Sequence, residues 1–146
     1  MKIFLACDHA AFEAKEAIKR HLAERAEDLG THSEDSVHYP DYAKKLAAQV
    51  QSNPGSRGIL LCGSGIGVSI VANRFEGVRA ALCHDEDDAK MSRLHNDANV
   101  LCLAGRKTPL PQMLTMVDVF LATPFEGGRH QSRLELFKGL GSKAPA

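Results

Sequence analysis

Four short runs of almost uninterrupted apolar residues recur along the chain. They cover residues 3–7, 58–62, 78–83 and 99–104. Apolar runs of this length, without polar alternation, are typical of strands covered on both faces of a parallel sheet. A fifth, weaker strand is predicted within residues 26–32, where the sequence is more polar. The pattern therefore predicts roughly five strands, most of them buried.

Between these runs, apolar residues recur at the three- and four-residue spacing of amphipathic helices. Helices are predicted over residues 11–25, 41–51, 68–75, 85–94, 111–122 and from 127–128 through Phe137. Pro40 suits a first helical turn and Asp85 suits an N-cap. Alternating strands and helices predict one doubly wound α/β domain over residues 1–146, with a mainly parallel sheet and a frayed tail at 141–146.

Composition narrows the classes of function. The 146 residues include 18 Lys and Arg and 18 Asp and Glu, no Trp, and only 5% aromatic residues. A neutral chain of this kind is poorly suited to binding nucleic acid by bulk charge or base stacking. No apolar run approaches the length of a membrane span, and Asp8 interrupts the N-terminal run too early for a signal peptide. We therefore expect a cytoplasmic protein with neither nucleic-acid nor membrane partners.

The chain has four cysteines, Cys7, Cys62, Cys83 and Cys102. None belongs to a CxxC pair and zinc-type spacing is absent, so we expect free thiols and no metal site. A small buried hydrophobic side chain is the ordinary interpretation of a free cysteine. That interpretation suits Cys83 and Cys102 well. It suits Cys62 less well, because a glycine-rich segment follows it.

Ligands of doubly wound sheets bind beyond the carboxyl ends of the strands, here in the loops after Cys7, Cys62, Cys83 and Ala104. The loop after Cys62 has alternating glycines and matches neither GxGxxG nor a Walker sequence, which makes nucleotide binding a weak interpretation. Its glycines let backbone N–H groups approach a ligand oxygen, and a helix beginning there favours an anion and an activated thiol. The alternative is a tight turn beside an inert Cys62. Spacing alone supports both equally.

Two further segments carry candidate polar groups. Asp8 and His9 follow the first strand, where an Asp can hold hydroxyls and a His can contact phosphate; a helix cap with a surface His is the commoner explanation of such a pair. His95 precedes Asn96 and Asp97, between a predicted helix and strand. Histidine is suited to moving a proton near neutral pH, whereas an ordinary polar turn is the alternative here.

A basic pair lies in the last predicted helix. Arg129 and Arg133 are four residues apart, so they share a helix face, where like charges are mildly destabilising. A bound dianion between the two guanidinium groups would offset that repulsion. A solvated basic face is the commoner explanation. Taken together, the four segments supply a base, an acid, an oxyanion cradle and a phosphate clamp, which are the parts needed for proton transfer beside a sugar carbonyl.

Several motifs in a fixed order make the sequence recognisable. They are Cys7-Asp8-His9, Tyr39-Pro40-Asp41-Tyr42-Ala43, Cys62-Gly63-Ser64-Gly65-Ile66-Gly67, Ala72-Asn73-Arg74-Phe75, Val78-Arg79-Ala80, His95-Asn96-Asp97-Ala98-Asn99-Val100-Leu101 and Glu126-Gly127-Gly128-Arg129-His130-Gln131. Over nearly its whole length the chain resembles the ribose-5-phosphate isomerase B family, within the wider RpiB/LacA/LacB sugar-phosphate isomerases. The resemblance implies a single-domain, Rossmann-like three-layer sandwich.

The resemblance also implies an activity and an assembly. The activity is aldose–ketose isomerisation of ribose 5-phosphate and ribulose 5-phosphate through an enediolate, a reaction of the pentose phosphate pathway that needs no metal or other cofactor. The assembly is a homodimer with its active site between subunits. The resemblance does not decide whether two such dimers pair further. Some site residues then come from the partner chain.

The resemblance also implies roles for individual residues of this chain. Cys62 is the base that moves a proton between C1 and C2, and His95 protonates the ring oxygen to open the furanose. The enediolate oxygen is stabilised by the Ser64 hydroxyl and by the loop N–H groups of Gly63, Gly65, Ile66 and Gly67. Sugar hydroxyls are held by Asp8 and Asn96. The phosphate is bound by His9, Arg106, Arg129 and Arg133.

The chain departs from the family pattern at one informative position. Ser64 stands where the best-known members carry Thr, which keeps the hydroxyl but loses a methyl group. Relatives without the cysteine use a Glu further along the chain as the base, and Glu76 lies in that neighbourhood. Because relatives also act on galactose 6-phosphate, allose 6-phosphate or a tetrose phosphate, those substrates remain the alternative. A non-catalytic sugar-phosphate binding protein is a third interpretation.

Overall fold

The apolar runs of the sequence form the central sheet of the molecule. In the computed structural model, which describes residues 1–144, the strands are β1 (Ile3–Cys7), β2 (Ala26–Asp28), β3 (Arg57–Cys62), β4 (Ala80–Leu82) and β5 (Val100–Ala104). They pair in the order β2-β1-β3-β5-β4, and every pairing is parallel. The predicted α/β fold with a five-stranded, mainly parallel sheet is confirmed.

Six α-helices connect and flank the strands. They are α1 (Phe12–Leu22), α2 (Tyr39–Ser52), α3 (Ile66–Ala72), α4 (Glu86–Asn96), α5 (Leu110–Ala122) and α6 (Arg129–Glu135). Asp85 caps α4 as predicted, since its Oδ1 accepts a hydrogen bond of 2.8 Å from the Asp88 N–H. Pro40 lies in the first turn of α2, where its missing N–H costs nothing. None of the helices within residues 1–144 is both long and apolar enough to cross a membrane.

The sheet separates two hydrophobic layers. Successive residues of a strand point to opposite faces, so neighbours on β1 and β3 contribute to different cores. Leu5 and Ile59 pack with residues of α1, α4 and α5. Phe4 and Leu60 pack instead with residues of α2 and α3. This arrangement confirms the three-layer sandwich and explains why the strand sequences lack polar alternation.

Several elements end earlier than the sequence pattern predicted. The predicted helix over residues 11–25 is an α-helix only between Phe12 and Leu22, because Ala23 has a positive φ of 52°. Helix α3 ends at Ala72, where the following Asn73 side chain instead bonds both backbone groups of Ala80 at 2.7 and 2.9 Å. Strand β2 covers only Ala26–Asp28.

A buried ion pair fixes the carboxyl end of β1. The Lys15 ammonium group, on α1, is fully buried and lies 2.7 Å from both the Asp28 carboxylate and the Thr31 carbonyl oxygen. Burial favours the neutral form of Asp28, but hydrogen bonds from Lys15, the Gly30 N–H and another lysine outweigh it and lower the pKa of this carboxyl. The loop that follows β2 is held in place by this ion pair. It also pairs with β1, because the Cys7 N–H donates to the Gly30 carbonyl at 2.7 Å.

The C-terminal segment differs from the frayed tail that was predicted at 141–146. Through residue 144 it is hydrogen-bonded: the Ser142 carbonyl accepts from the Glu76 N–H at 2.9 Å, and the Ala144 N–H donates to the Gln51 side chain at 2.7 Å. Composition gave no sign of this, because the partners, a backbone group of Glu76 and the side chain of Gln51, are distant in sequence. Residues 145 and 146 lie outside the described part of the chain.

Candidate active site

Three strands bring polar residues to one edge of the sheet. Asp8 follows β1, Cys62 ends β3 and Arg106 follows β5. Backbone hydrogen bonds join the three segments: Asp8 N–H to the Leu61 carbonyl at 3.3 Å, Gly105 N–H to the Cys62 carbonyl at 2.9 Å, and Arg106 N–H to the Gly63 carbonyl at 3.0 Å. The predicted ligand-binding edge is thus a continuous backbone framework. We call Asp8, His9, Cys62, Ser64 and Arg106 the carboxyl-edge group.

Cys62 lies in this framework with its thiol turned into the glycine-rich loop. The residue is 5% exposed, and its Sγ accepts a hydrogen bond of 3.1 Å from the Gly65 N–H. The sulfur is thus held in position by a backbone donor of the loop that follows it.

Burial dominates the chemistry of the other three cysteines. Burial raises the pKa of Cys7 and of Cys83 from 9.0 to about 12, and it raises the pKa of Cys102 as well. These three thiols stay protonated and act as small hydrophobic side chains, as predicted for Cys83 and Cys102.

The loop glycines are required by close contacts. Gly65 has a φ of 75°, and a Cβ there would lie 3.1 Å from the Leu103 carbonyl carbon and oxygen. A Cβ on Gly63 would lie 3.2 Å from the Arg106 side chain. A Cβ on Gly67 would lie 2.5 Å from the Tyr39 ring. The loop therefore packs directly against an arginine and a tyrosine, with no room for larger residues.

Hydrogen bonds within the loop determine which donors remain for a ligand. The Gly65 N–H is bound to Cys62, and the Ile66 N–H donates to the Ser64 Oγ at 3.2 Å. The Ser64 hydroxyl can still donate its own hydrogen. The N–H groups of Gly67 and Val68, in the first turn of α3, have no backbone acceptor among residues 1–144. Val68 is fully buried, whereas Gly67 is partly exposed, so the Gly67 N–H is the one that a ligand oxygen can reach.

Asp8 and His9 show features of both interpretations considered above. The Asp8 Oδ1 caps a short 3₁₀-helix by accepting from the Ala10 N–H at 3.1 Å. The His9 Nδ1 accepts from the Val37 N–H at 3.1 Å, which assigns the proton of the neutral ring to Nε2. His9 also lines a cavity of about 880 Å³. The ring is thus prepared to donate to an anion, and Asp8 does structural work whatever else it binds.

The remaining predicted residues lie at the opposite edge of the sheet. Helix α4 starts beyond the carboxyl end of β4 and returns to the amino end of β5, so its last residues, His95 and Asn96, lie near that end. From Ala104, paired with Cys62, to Val100 is four residue steps along β5, or roughly 13 Å. The structure therefore does not bring His95 and Cys62 of one chain together.

Helix α6 packs beside the end of α4. The Glu126 N–H donates to the Leu94 carbonyl at 3.0 Å, and the rings of His95 and His130 stack with centroids 4.3 Å apart. Burial lowers the pKa of His130, and the nearby positive charges of His95 and Arg129 lower it further. We call His95, Asn96, Arg129 and Arg133 the amino-edge group; Arg129 and Arg133 are both exposed on α6.

Comparison with known proteins identifies the family of the chain. Residues 3–137 match the family described as Ribose/Galactose Isomerase. The chain belongs to the ribose/galactose isomerase family. Ribose-5-phosphate isomerase B of Escherichia coli (strain K12) is 44% identical over 137 residues, with 92% of each chain covered.

Solved structures of this isomerase family share the fold. A ribose 5-phosphate isomerase from Thermotoga maritima superposes with a TM-score of 0.91 at 51% identity, covering 95% of this chain and 98% of that one. Ribose-5-phosphate isomerase B from Mycoplasma genitalium, with bound ribulose-5-phosphate, superposes with a TM-score of 0.89 at 41% identity, covering 92% of each chain.

Sequence reasoning missed some residues of this isomerase and misplaced another. Tyr39 was recognised only as part of a motif, yet its ring contacts Gly67. Glu126 and His130 also went unassigned, although they contact His95. Glu76 was the candidate for an alternative base. It follows α3 at the amino edge, however, and its backbone N–H donates to the Ser142 carbonyl. It therefore cannot replace Cys62 within one chain.

Proposed function

We propose that this chain interconverts ribose 5-phosphate and ribulose 5-phosphate by proton transfer, in the cytoplasm and as part of the pentose phosphate pathway. The observation that carries the proposal is the Cys62 thiol, held by the Gly65 N–H at the strand edge where sheets of this type bind ligands. Membership of the isomerase family supports it. So does a relative of the same fold whose structure contains ribulose-5-phosphate.

In the proposed mechanism, the sugar ring opens first, and a proton then moves between C2 and C1. His95 gives a proton to the ring oxygen as the ring opens to the aldehyde. Cys62, as thiolate, removes the C2 proton, and the electron pair moves through the C1–C2 bond to the carbonyl oxygen, giving an enediolate. The Ser64 hydroxyl and the unpaired Gly67 N–H stabilise that oxygen. A proton then moves from the C2 hydroxyl to the C1 oxygen, and Cys62 returns its proton to C1, which leaves a ketone at C2 and a hydroxyl at C1.

We further propose that two chains form a homodimer whose active sites each combine both groups. Because a single chain separates Cys62 from His95 by the length of a strand, the carboxyl-edge group of one chain needs the amino-edge group of another. Asp8 and the partner's Asn96 would then hold sugar hydroxyls. The phosphate would be bound by His9 and Arg106 together with Arg129 and Arg133 of the partner subunit.

A panel of sugar phosphates tests the activity. Ribose 5-phosphate should give the highest kcat/KM when it is compared with galactose 6-phosphate, allose 6-phosphate and a tetrose phosphate. Preference for one of the others would keep the isomerase but change the substrate. Binding of every phosphosugar without turnover would instead establish a binding protein and end the proposal. ATP and NAD serve as controls for nucleotide binding.

Coexpression of two defective chains tests the shared site. We expect Cys62→Ala and His95→Ala to be weakly active alone, whereas a random mixture should regain about a quarter of the wild-type activity, because about half of the dimers are hybrids and each hybrid holds one intact site. A mixture no more active than its components would rule out a site built from two chains.

A further inference from the structure

We propose that His95, Glu126 and His130 form a binding site for a divalent transition-metal ion, with zinc as the expected occupant. Neither the relatives named above nor the spacing of the sequence suggests such a site. The tertiary structure creates it by placing α6 against the last turn of α4. Two imidazoles and one carboxylate are a donor set typical of zinc sites that retain an open position.

The distances between the donor atoms suit one ion. The His95 Nε2 lies 3.6 Å from one Glu126 carboxylate oxygen, and the His130 Nε2 lies 4.0 Å from the other. One donor atom from each residue falls within 4.8 Å of the others. Tetrahedral zinc, with bonds of about 2.0–2.2 Å, separates its ligand atoms by about 3.3 Å. The two histidine–glutamate distances therefore need to shorten by less than 1 Å each to fit a bound zinc ion.

His130 gives an independent indication of a ligand. Its side chain is 7% exposed, and its buried Nε2 has no hydrogen-bond partner among residues 1–144, although it faces the Glu126 carboxylate. Buried polar atoms are nearly always hydrogen-bonded, so an unpaired one calls for an explanation. A metal ion between His130 and Glu126 would satisfy this nitrogen.

The backbone holds the three residues in place while leaving two side chains adjustable. The Glu126 N–H is bonded to the Leu94 carbonyl beside His95, and the His130 N–H to the Gly127 carbonyl. The stacked imidazole rings are only 17° from parallel, so their lone pairs do not yet converge. The His95 and Glu126 side chains are 39% and 54% exposed, respectively, and can turn towards the fixed His130.

Neighbouring charge sets the expected strength of binding. Arg129 and Arg133 lie on the same helix as His130 and oppose a cation, whereas Glu126 supplies the only carboxylate of the ligand set. Three protein ligands with water in the fourth position, near two guanidinium groups, predict micromolar rather than nanomolar affinity. A site of this strength would bind and release zinc reversibly.

A bound ion would also change the chemistry available to His95. Coordination occupies the Nε2 lone pair, so the ring could no longer carry a proton there. If His95 opens the sugar ring, which rests on the proposed function, zinc should inhibit turnover reversibly. Metal binding itself does not depend on that function and can be measured without substrate.

Direct titration tests the site in untagged, full-length protein carrying Cys62→Ser, which removes a thiol that could bind zinc outside the proposed site. We expect one Zn²⁺ per chain by calorimetry, and a cobalt spectrum of tetrahedral type without a thiolate charge-transfer band. Glu126→Gln and His130→Asn should each weaken binding at least tenfold. His21→Asn is the matched control, because His21 forms an exposed pair with Asp118 elsewhere and should leave binding unchanged.

The outcomes separate this proposal from the proposed function. Absence of binding at submillimolar zinc, or equal binding by Glu126→Gln, His130→Asn and His21→Asn, would overturn the metal site. In protein that retains Cys62, zinc should inhibit isomerisation and a chelator should restore it. Protein that binds zinc as expected but turns over no sugar phosphate would contradict the proposed function and leave the metal site standing.

Discussion

The two edges of the sheet hold their polar residues in different ways. At the carboxyl edge, Cys62 ends a central strand and the segments around it are joined by backbone hydrogen bonds. At the amino edge, His95 ends a helix and Arg129 and Arg133 project from a short exposed one. Cys62, which is proposed to take a proton from carbon, is held by the sheet. The residues proposed to protonate the ring oxygen (His95) and to bind phosphate (Arg129 and Arg133) are on helices. Proton transfer from carbon needs the stricter placement, which a strand end provides.

The separation of the two edges is the reason for proposing that neither is a complete site. The separation is set by strand length, a property of the fold that side-chain rotation cannot overcome. A second copy is the simplest source of the missing half. The following substitutions test how the edges differ, in order of decreasing effect on kcat/KM.

Removing the thiol of Cys62 should have the largest effect. Cys62→Ala is expected to lower kcat by about two to four orders of magnitude, the usual contribution of a proton-transfer group, with KM little changed. Cys83→Ala is the matched control, because Cys83 is a buried, protonated thiol. It should lower the melting temperature and leave kcat near wild type. Equal kinetic losses in both variants would contradict the special role of Cys62.

Reshaping the Cys62 loop should have the next largest effect. Gly65→Ala forces a Cβ against the Leu103 carbonyl and moves the N–H that faces the thiol, so kcat/KM should fall by up to about 10²-fold, as for misplacement by about 1 Å. Gly77→Ala is the control: its φ of 81° is similar, but nothing lies within 4 Å of the new Cβ. Both variants should lose stability from the positive φ, measured by urea unfolding. Only Gly65→Ala should lose activity beyond that.

Weakening the amino edge should act on binding more than on chemistry. Arg129→Ala and Arg133→Ala each remove a proposed charge-assisted contact to phosphate. Such a contact is worth about 1.5–3 kcal/mol, which corresponds to a rise in KM of roughly 10- to 100-fold. Steady-state kinetics with ribose 5-phosphate provides the measurement. Lys138→Ala, a charge change just beyond α6, is the control. A fall in kcat at unchanged KM would instead assign these arginines to the chemical step.

Replacing Ser64 beside the thiol with threonine should have the smallest effect. Ser64→Thr keeps the hydroxyl that accepts from the Ile66 N–H and adds one methyl group to a half-buried position. Stability should change by no more than about 0.5 kcal/mol, and kcat/KM by less than about tenfold. Ser64→Ala should be the worse of the two on kcat. The reverse order would show that the methyl group matters more than the hydroxyl.

Much of this arrangement was predictable from local patterns. The four apolar runs predicted β1, β3, β4 and β5, and the capping role of Asp85 was predictable because an Asp before a helix bonds its own first turn. The tail at Ser142 and the stacking of His95 on His130 were not predictable in this way. Both depend on partners that are far apart in sequence and that only the packing of helices brings together.

By itself, the sequence determined the order of the strands and helices, the glycine-rich loop after Cys62 and the family to which the chain belongs. These follow from periodicity and from contiguous motifs, which act over a few residues. The tertiary structure alone decided that Cys62 and His95 lie at opposite edges and that Glu126 and His130 join His95. A parallel sheet requires each connection to cross its full length, so residues in neighbouring segments can end far apart while distant ones meet.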